Sequence, residues 1–140
     1  MNALRKISRI LVPGGLLLES HPLAGSSVEA AGRVLGALDE REFGRVLDAM
    51  ERSVAVLVDD GRLALRDERA FEVPMRFDTG AELLAEVVTW EGTTISVRLQ
   101  RAIKPIETPL ALRIASVVRL YTSGSTRSPT RTRPGSSTSP

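Results

Sequence analysis

A Pro-Gly-Gly turn near the start of the chain limits what can surround it. Pro13 lacks an N–H group and fixes φ, so a helix that precedes it must end by Val12. Gly14 and Gly15 can take positive φ and turn the chain tightly. The sequence therefore predicts a helix that ends before Pro13 and a strand that begins after Gly15.

Three leucines, Leu16–Leu18, follow this turn directly. A short apolar run without polar alternation is typical of a strand that is covered on both faces, as in a parallel sheet between two layers of helices. We therefore expect Leu16–Leu18 to lie in the interior of a sheet, as the parallel central strand of an α/β fold.

Apolar periodicity predicts the other elements. Spacings of three and four residues predict helices on both faces of the sheet, and Asp39 and Glu42 have the spacing of a capping box. Alternation predicts two later strands at an antiparallel edge, with Pro74 at an edge or a bulge. The predicted helices span 3–11, 28–38, 39–58, 79–90 and 95–103, and the predicted strands span 16–18, 70–77 and 110–120.

One apolar run leaves two interpretations open. Val54–Val58 precedes Asp59, Asp60 and Gly61, so it fits either the last turns of a helix or the first strand of a hairpin. The helical periodicity upstream favours a helix followed by a turn.

The end of the chain differs from the rest in composition. Residues 122–140 contain Ser, Thr, Pro, Gly and Arg but no large apolar side chain, so we expect a disordered tail after an ordered domain over 1–121. The tail holds three of the 19 basic residues and none of the 17 acidic residues, so it accounts for the pI of 9.7. The sequence therefore argues against a nucleic-acid partner, except through the arginines of the tail.

Composition also excludes several classes of protein. The chain has no cysteine and one histidine, which rules out disulfides and leaves too few of the usual ligands for zinc. No run approaches the roughly 20 apolar residues of a membrane span, and the N-terminus lacks the apolar core of a signal peptide. We therefore expect a cytoplasmic protein with no metal site and no membrane partner.

Residues 9–15 form the most specific motif of the chain. There a helix ends in Arg-Ile-Leu-Val-Pro-Gly-Gly before a strand, which resembles the late motif of class I S-adenosylmethionine-dependent methyltransferases, Arg-Val-Leu-x-Pro-Gly-Gly before the fifth strand. Phe-Glu-Val at 71–73, Arg-Phe-Asp at 76–78 and Trp-Glu-Gly-Thr at 90–93 are similar to the methyltransferase type 11 branch. The resemblance extends over residues 3–121.

The resemblance implies the C-terminal part of a Rossmann-like sheet, which a strand, a helical insertion and a last antiparallel strand complete. It implies S-adenosylmethionine as the family's cofactor and a small molecule as the methyl acceptor. In the family the cofactor binds mainly to the first half, at a Gly-rich loop that follows a strand. Gly14 and Gly15 precede a strand, so no residue here takes the cofactor-binding role. We therefore expect a truncated or split form that does not hold the cofactor alone, with a second chain as a possible source of the missing half.

The residues after the leucines are the candidates for a site. Ligands of open α/β sheets bind beyond the carboxyl ends of strands, so the resemblance implies that Glu19, Ser20 and His21 border the acceptor pocket. His21 is the candidate catalytic residue, because an imidazole can orient or deprotonate an acceptor, and the simpler interpretation is a loop histidine. Trp90 is either a core aromatic or a residue that stacks on the substrate.

Two functions follow from these patterns. The first is a methyltransferase of a small molecule that uses S-adenosylmethionine, in a form that lacks the cofactor-binding half. The alternative is a non-catalytic α/β interaction module, whose uncovered sheet face and edge dock a partner subunit.

Overall fold

The computed structural model describes residues 2–124, which contain four helices and five strands. The helices are α1 (Asn2–Ile10), α2 (Arg41–Asp59), α3 (Gly80–Val87) and α4 (Val97–Ile103). The strands are β1 (Leu16–Pro22), β2 (Ser27–Ala30), β3 (Arg33–Ala37), β4 (Leu63–Phe77) and β5 (Leu110–Ser123).

The long strand β5 organises the sheet. On one side it pairs with β4 over its whole length, from Leu63 opposite Ser123 to Phe77 opposite Leu110. On the other side it pairs with β1 and then with β2, which lie end to end, and β3 extends the sheet beyond β2. These pairings are all antiparallel. The fold is therefore a mixed α/β arrangement around an open antiparallel sheet.

Helices cover the two faces of the sheet at different ends. Alternate residues of a strand point to opposite faces. At one end of β5, Leu110 and Leu112 form a core with apolar side chains of α3 and α4. At the other end, Tyr121 points to the opposite face and forms a second core with Val54 and Leu57 of α2. Helices thus lie on both faces, but each group covers only part of its face.

The predicted parallel central strand is wrong. Within residues 2–124, β1 pairs only with β5, in the antiparallel direction, and its other edge has no partner strand. Leu16 and Leu18 are 66% and 68% exposed, whereas Leu17 packs against the core beside α2. The leucine run is therefore an edge strand covered on one face, because no described element packs over the other face at this end of β5.

The helix predicted over 28–38 is also wrong. This segment forms the hairpin of β2 and β3, which turns at Ala31 and Gly32. Both residues have positive φ, 49° and 71°, the backbone of a two-residue turn whose twist matches that of the paired strands. Gly36 of β3 allows close packing, because a Cβ there would lie 3.0 Å from the side chain of Leu99.

Most of the other predicted elements are confirmed, with changes at their ends. The run before Asp59 is helical, as the periodicity indicates, and α3, α4 and β5 lie where the sequence predicts them. β4 begins at Leu63 and not at Ala70. Pro74 lies on this edge strand, which pairs with β5 alone among the described residues. An edge position suits proline, because it needs no N–H donor on the open side.

The predicted capping box at the start of α2 is not formed. The residue that precedes the helix is Glu40, whose side chain makes no cap bond. The carboxylate of Asp39 instead accepts the backbone N–H of Arg41 at 3.2 Å and pairs with its guanidinium. Asp39 therefore binds the backbone and side chain of Arg41 and not the backbone N–H of Glu42, which a capping box would require.

The predicted tail overlaps the described part only at its start. Thr122 and Ser123 continue β5, so the ordered part extends beyond residue 121. The remainder of the predicted tail, residues 125–140, lies outside the described residues.

Candidate functional site

β1 places the three predicted pocket residues on two faces of the sheet. Because side chains alternate along a strand, Glu19 and His21 point to the α2 side and Ser20 points to the opposite side. Glu19 and His21 are half-buried, and Ser20 is exposed. The structure therefore brings Glu19 and His21 together and separates Ser20 from them.

His21 lies between two carboxylates. Its Nδ1 is 3.2 Å from Oε1 of Glu19, and its Nε2 is 3.5 Å from Oε1 of Glu51 on α2. The angles do not suit hydrogen bonds, so among the described residues both ring nitrogens and both Glu19 carboxylate oxygens are buried without a hydrogen-bond partner. The imidazole side chain is only 10% exposed. A group that can take or give a proton is thus held in anionic, mostly buried surroundings.

Arg119 of β5 compensates the carboxylates of this cluster. Its guanidinium donates hydrogen bonds to Glu51 on α2 and to Glu68 on β4. Burial alone would lower the pKa of Arg119, but these two hydrogen bonds outweigh it and raise the pKa. The permanently charged guanidinium therefore joins α2 to both long strands.

Tyr121 borders the same cluster from within the second core. Burial raises the pKa of its phenol, and the negative charge of Glu19 raises it further. The positive charge of Arg119 acts in the opposite direction but is outweighed. The phenol therefore stays protonated over the physiological pH range.

Sequence reasoning missed Arg119 and Tyr121, although a signal for them exists. The predicted strand over 110–120 alternates, so Val117, Arg119 and Tyr121 fall on one face, two of them with polar groups. Polar side chains on a covered face are informative, because they need partners. The missing information was the position of α2, because its residue Glu51, which Arg119 binds, lies far from Arg119 in the sequence.

A cavity of about 360 Å³ opens beyond the end of β1. Pro22 and Leu23 form one side of it, Phe43 at the start of α2 forms another, and Trp90 after α3 closes it. Glu19, Ser20 and His21 are not among the residues that line it. The predicted pocket and this cavity are therefore neighbours along the chain, because Pro22 follows His21 directly.

The described residues do not fit the methyl donor of the family. That ligand requires a Gly-rich loop between a strand and a helix, where backbone N–H groups can approach it closely. Within residues 2–124, the loop after β1 has a single glycine, Gly25. The connection from β4 to α3 likewise offers a single glycine, Gly80, which is the first residue of the helix. Gly80 is blocked as well, because a Cβ there would lie 1.9 Å from the carbonyl oxygen of Ile103. The backbone is thus already packed where a ligand would have to approach.

Residues 2–124 contain neither a metal-binding group nor a membrane-spanning helix. In that part of the chain, no group of three or more His, Asp or Glu side chains could hold a metal ion. None of its helices combines the length and the apolar character that crossing a membrane requires.

A scan of family models, a search of curated proteins and a search of solved structures found no match to this chain.

Proposed function

We propose that the chain is the C-terminal part of an S-adenosylmethionine-dependent methyltransferase domain that acts on a small molecule. Two features support this. The turn at Pro13–Gly15 leads from α1 into a strand, as in the family motif. β5, which follows all the other described strands, is antiparallel to both of its long neighbours, which is what the resemblance implies for the last strand.

The free edge of β1 is the observation that carries the proposal. β1 and β4 are both antiparallel to β5, so they run parallel to each other. Within residues 2–124 the outer edge of β1 has no partner, and Leu16 and Leu18 expose apolar surface beside it. Proteins rarely leave such an edge open, because it invites pairing with other chains. In the proposal, strands of the cofactor-binding half pair with this edge and its helices cover the leucines.

The residues of this chain would serve the acceptor side of the reaction. Methyl transfer depends mainly on the alignment of donor and acceptor, which a rigid apolar cavity can provide. Trp90 and Phe43 line the cavity with aromatic surface. Glu19 and His21 lie beside α2 and therefore help to fix the end of β1 from which the cavity wall continues. The methyl donor would be held by the other half of the sheet.

Calorimetric titration with S-adenosylmethionine tests the proposal. The isolated chain should show no micromolar binding, because its residues do not fit the donor. The same chain extended at its N-terminus by the residues encoded immediately upstream should bind S-adenosylmethionine at micromolar concentration. Binding by the isolated chain would contradict the assigned half, and failure of the extended chain to bind would overturn the methyltransferase proposal.

The second candidate is the non-catalytic interaction module. It is favoured by the apolar residues on the uncovered face, which by their register with β5 include Phe71 and Val73 as well as Leu16 and Leu18. All four are more than two-fifths exposed. An extended chain whose β1 edge becomes protected from amide hydrogen exchange, yet which binds no S-adenosylmethionine, would favour this candidate over the enzyme.

A further inference from the structure

The cavity beyond β1 combines aromatic walls with negative charge. Trp90 and Phe43 supply the aromatic surface, and the acidic residues Glu40 and Glu91 also line the cavity. The described residues of the lining include no Lys, Arg or His. A ligand that fills this cavity therefore meets apolar surface and two acidic side chains with no compensating cation in the wall.

Glu40 is built into the cavity wall. The residue is only 6% exposed, and its Oε2 accepts the backbone N–H groups of Gly25 at 2.6 Å and Ser26 at 2.9 Å. These donors hold the carboxylate in one orientation and stabilise its negative charge. Within the described part of the chain, Oε1 accepts no such bond, so this oxygen can accept a hydrogen bond from a ligand.

The cationic residue that follows Glu40 in the sequence does not neutralise it. Arg41 follows it in the sequence, but its guanidinium binds both carboxylate oxygens of Asp39. The hydrogen bonds from Arg41 also lower the pKa of Asp39, as expected for a carboxylate that is paired with a cation. The negative charge of Glu40 is therefore available to a ligand.

The aromatic residues are held in place by hydrogen bonds. The indole Nε1 of Trp90 donates to Oε1 of Glu86 on α3 at 3.1 Å, which fixes the ring at the edge of the cavity. The backbone N–H of Phe43 donates to the carbonyl oxygen of Gly92 at 3.2 Å, which joins α2 to the turn after Trp90. A preorganised aromatic wall favours flat or apolar ligands and attracts cations through its π face.

We propose that this cavity binds an organic amine with an apolar body, whose cationic nitrogen pairs with Glu40 while its apolar part packs against Trp90 and Phe43. The inference names the class of the methyl acceptor and in that respect rests on the proposed function. The volume of the cavity, about 360 Å³, lies in the range of small-molecule sites. Binding of the amine needs no methyl donor, so this inference and the methyltransferase proposal can fail separately.

Trp90 is the only tryptophan of the chain, so its fluorescence reports on the cavity without interference. The probes are phenethylamine, phenethyl alcohol and phenylacetate, which share a phenyl ring and differ in charge. Phenethylamine should change the Trp90 emission saturably and bind about tenfold more tightly than phenethyl alcohol, because a charge-assisted bond is worth more than a neutral one. Phenylacetate should bind weakest, and added salt should reduce the preference for the amine.

Glu40→Gln is the decisive variant. Its amide oxygen can still accept the two N–H bonds, so the loop keeps its anchor while the charge is lost, and the preference for the amine over the alcohol should fall to about one. Glu91→Gln should reduce the preference partially, and Glu107→Gln, which changes an exposed carboxylate outside the cavity, should leave it unchanged. If Glu40→Gln does not fold, the decision passes to Glu91→Gln.

Three results would overturn the inference. The first is phenylacetate binding as tightly as phenethylamine. The second is an amine preference that Glu40→Gln does not abolish or, where that variant is unfolded, one that Glu91→Gln leaves unchanged. The third is the absence of binding by all three probes, both in fluorescence and in equilibrium dialysis.

Discussion

At the scale of single residues, Tyr121 gives the charged cluster under β1 a pH-dependent contribution to stability. This cluster places Tyr121, Glu19, His21, Glu51 and Arg119 on one face, between α2 and the long strands. Each of these side chains is at least half-buried or bound to one that is. A change in the protonation of Tyr121 should therefore be visible in the stability of the whole fold.

Tyr121 should titrate above the ordinary pKa of a tyrosine. It is the only tyrosine of the chain, so the ultraviolet absorbance of its phenolate can be followed without correction. Burial, followed by the charge of Glu19, raises its pKa in the folded state, so the folded protein keeps a proton that the unfolded chain has released. The stability that this provides is complete below the unfolded pKa and is lost as the pH rises through the folded pKa. A titration midpoint that is the same with and without denaturant would contradict the assignment.

Arg119→Met should destabilise the fold by about 1–3 kcal/mol, because it leaves Glu51 and Glu68 near each other without a cation. This loss of stability is smaller than the full cost of breaking a buried ion pair, because the side chains of Glu51 and Glu68 are both more than a third exposed. Urea denaturation measures the effect. The matched control is Arg41→Met, which removes an exposed partner of Asp39 and should change stability little. Equal losses in the two variants would mean that the cluster has no special role.

At the scale of the elements, the contrast between α2 and the β2–β3 hairpin shows what the sequence can predict. α2 has a long apolar stripe and a clear end at the Asp-Gly turn, so periodicity was sufficient. In the hairpin, Val28 and Leu35 fit a helical spacing by chance, and the turn at Ala31 and Gly32 carries only one glycine. Short strands leave too few residues for their alternation to outweigh such a coincidence.

The strand β1 shows a different limit. Its existence and its start after Gly15 were correctly predicted, but its neighbours were not. A continuous apolar run indicates surface that can be covered, and it contains no information about which strands pair with it or in which direction. For the site, the predicted strand ended at Leu18, so the sequence treated Glu19 and His21 as loop residues, whereas β1 continues to Pro22 and places both on one face. The cavity depends on loops that meet only in three dimensions.

Gly80→Ala should cost about 1–3 kcal/mol, or more if the helices cannot separate. A Cβ at this position would lie 1.9 Å from the carbonyl oxygen of Ile103, so the start of α3 would be forced away from the end of α4. The matched control is Gly44→Ala in α2, where the nearest side chain, that of Ala24, lies 3.7 Å away. This variant should be more stable by about 0.5–1 kcal/mol, because alanine lowers the conformational entropy of the unfolded chain and fits a helical position without strain. Thermal unfolding followed by circular dichroism distinguishes the two, and a neutral Gly80→Ala would show that the helices pack less closely.

At the scale of the whole molecule, the sheet has one covered and one uncovered region. The core beside α3 and α4 and the core beside α2 lie on opposite faces, and neither extends under Leu16 and Leu18. This asymmetry leaves apolar surface beside a strand edge that has no partner within residues 2–124, which is what the proposed additional strands or partner subunit would require.

A pair of adjacent substitutions tests this asymmetry. Leu17→Thr should destabilise the isolated chain by about 1–2 kcal/mol, because Leu17 packs against the core beside α2. Leu18→Thr should change stability by less than about 0.5 kcal/mol, because this side chain is mostly exposed. Urea denaturation measures both changes. Similar losses for both variants would indicate that β1 is covered on both faces.

The position of β5 in the chain has a consequence for biosynthesis. Among the described residues β1 and β4 pair only with this strand, and β2 pairs with it on the edge that β3 leaves open; β5 follows all of them in the sequence. While the protein is being made, these segments must wait with unsatisfied backbone groups until residues 110–123 have left the ribosome. Such distant pairing is slow and leaves apolar strands exposed in the meantime. We therefore expect nascent chains that end before Leu110 to be trapped by chaperones or degraded, and the sheet to form in a single late step.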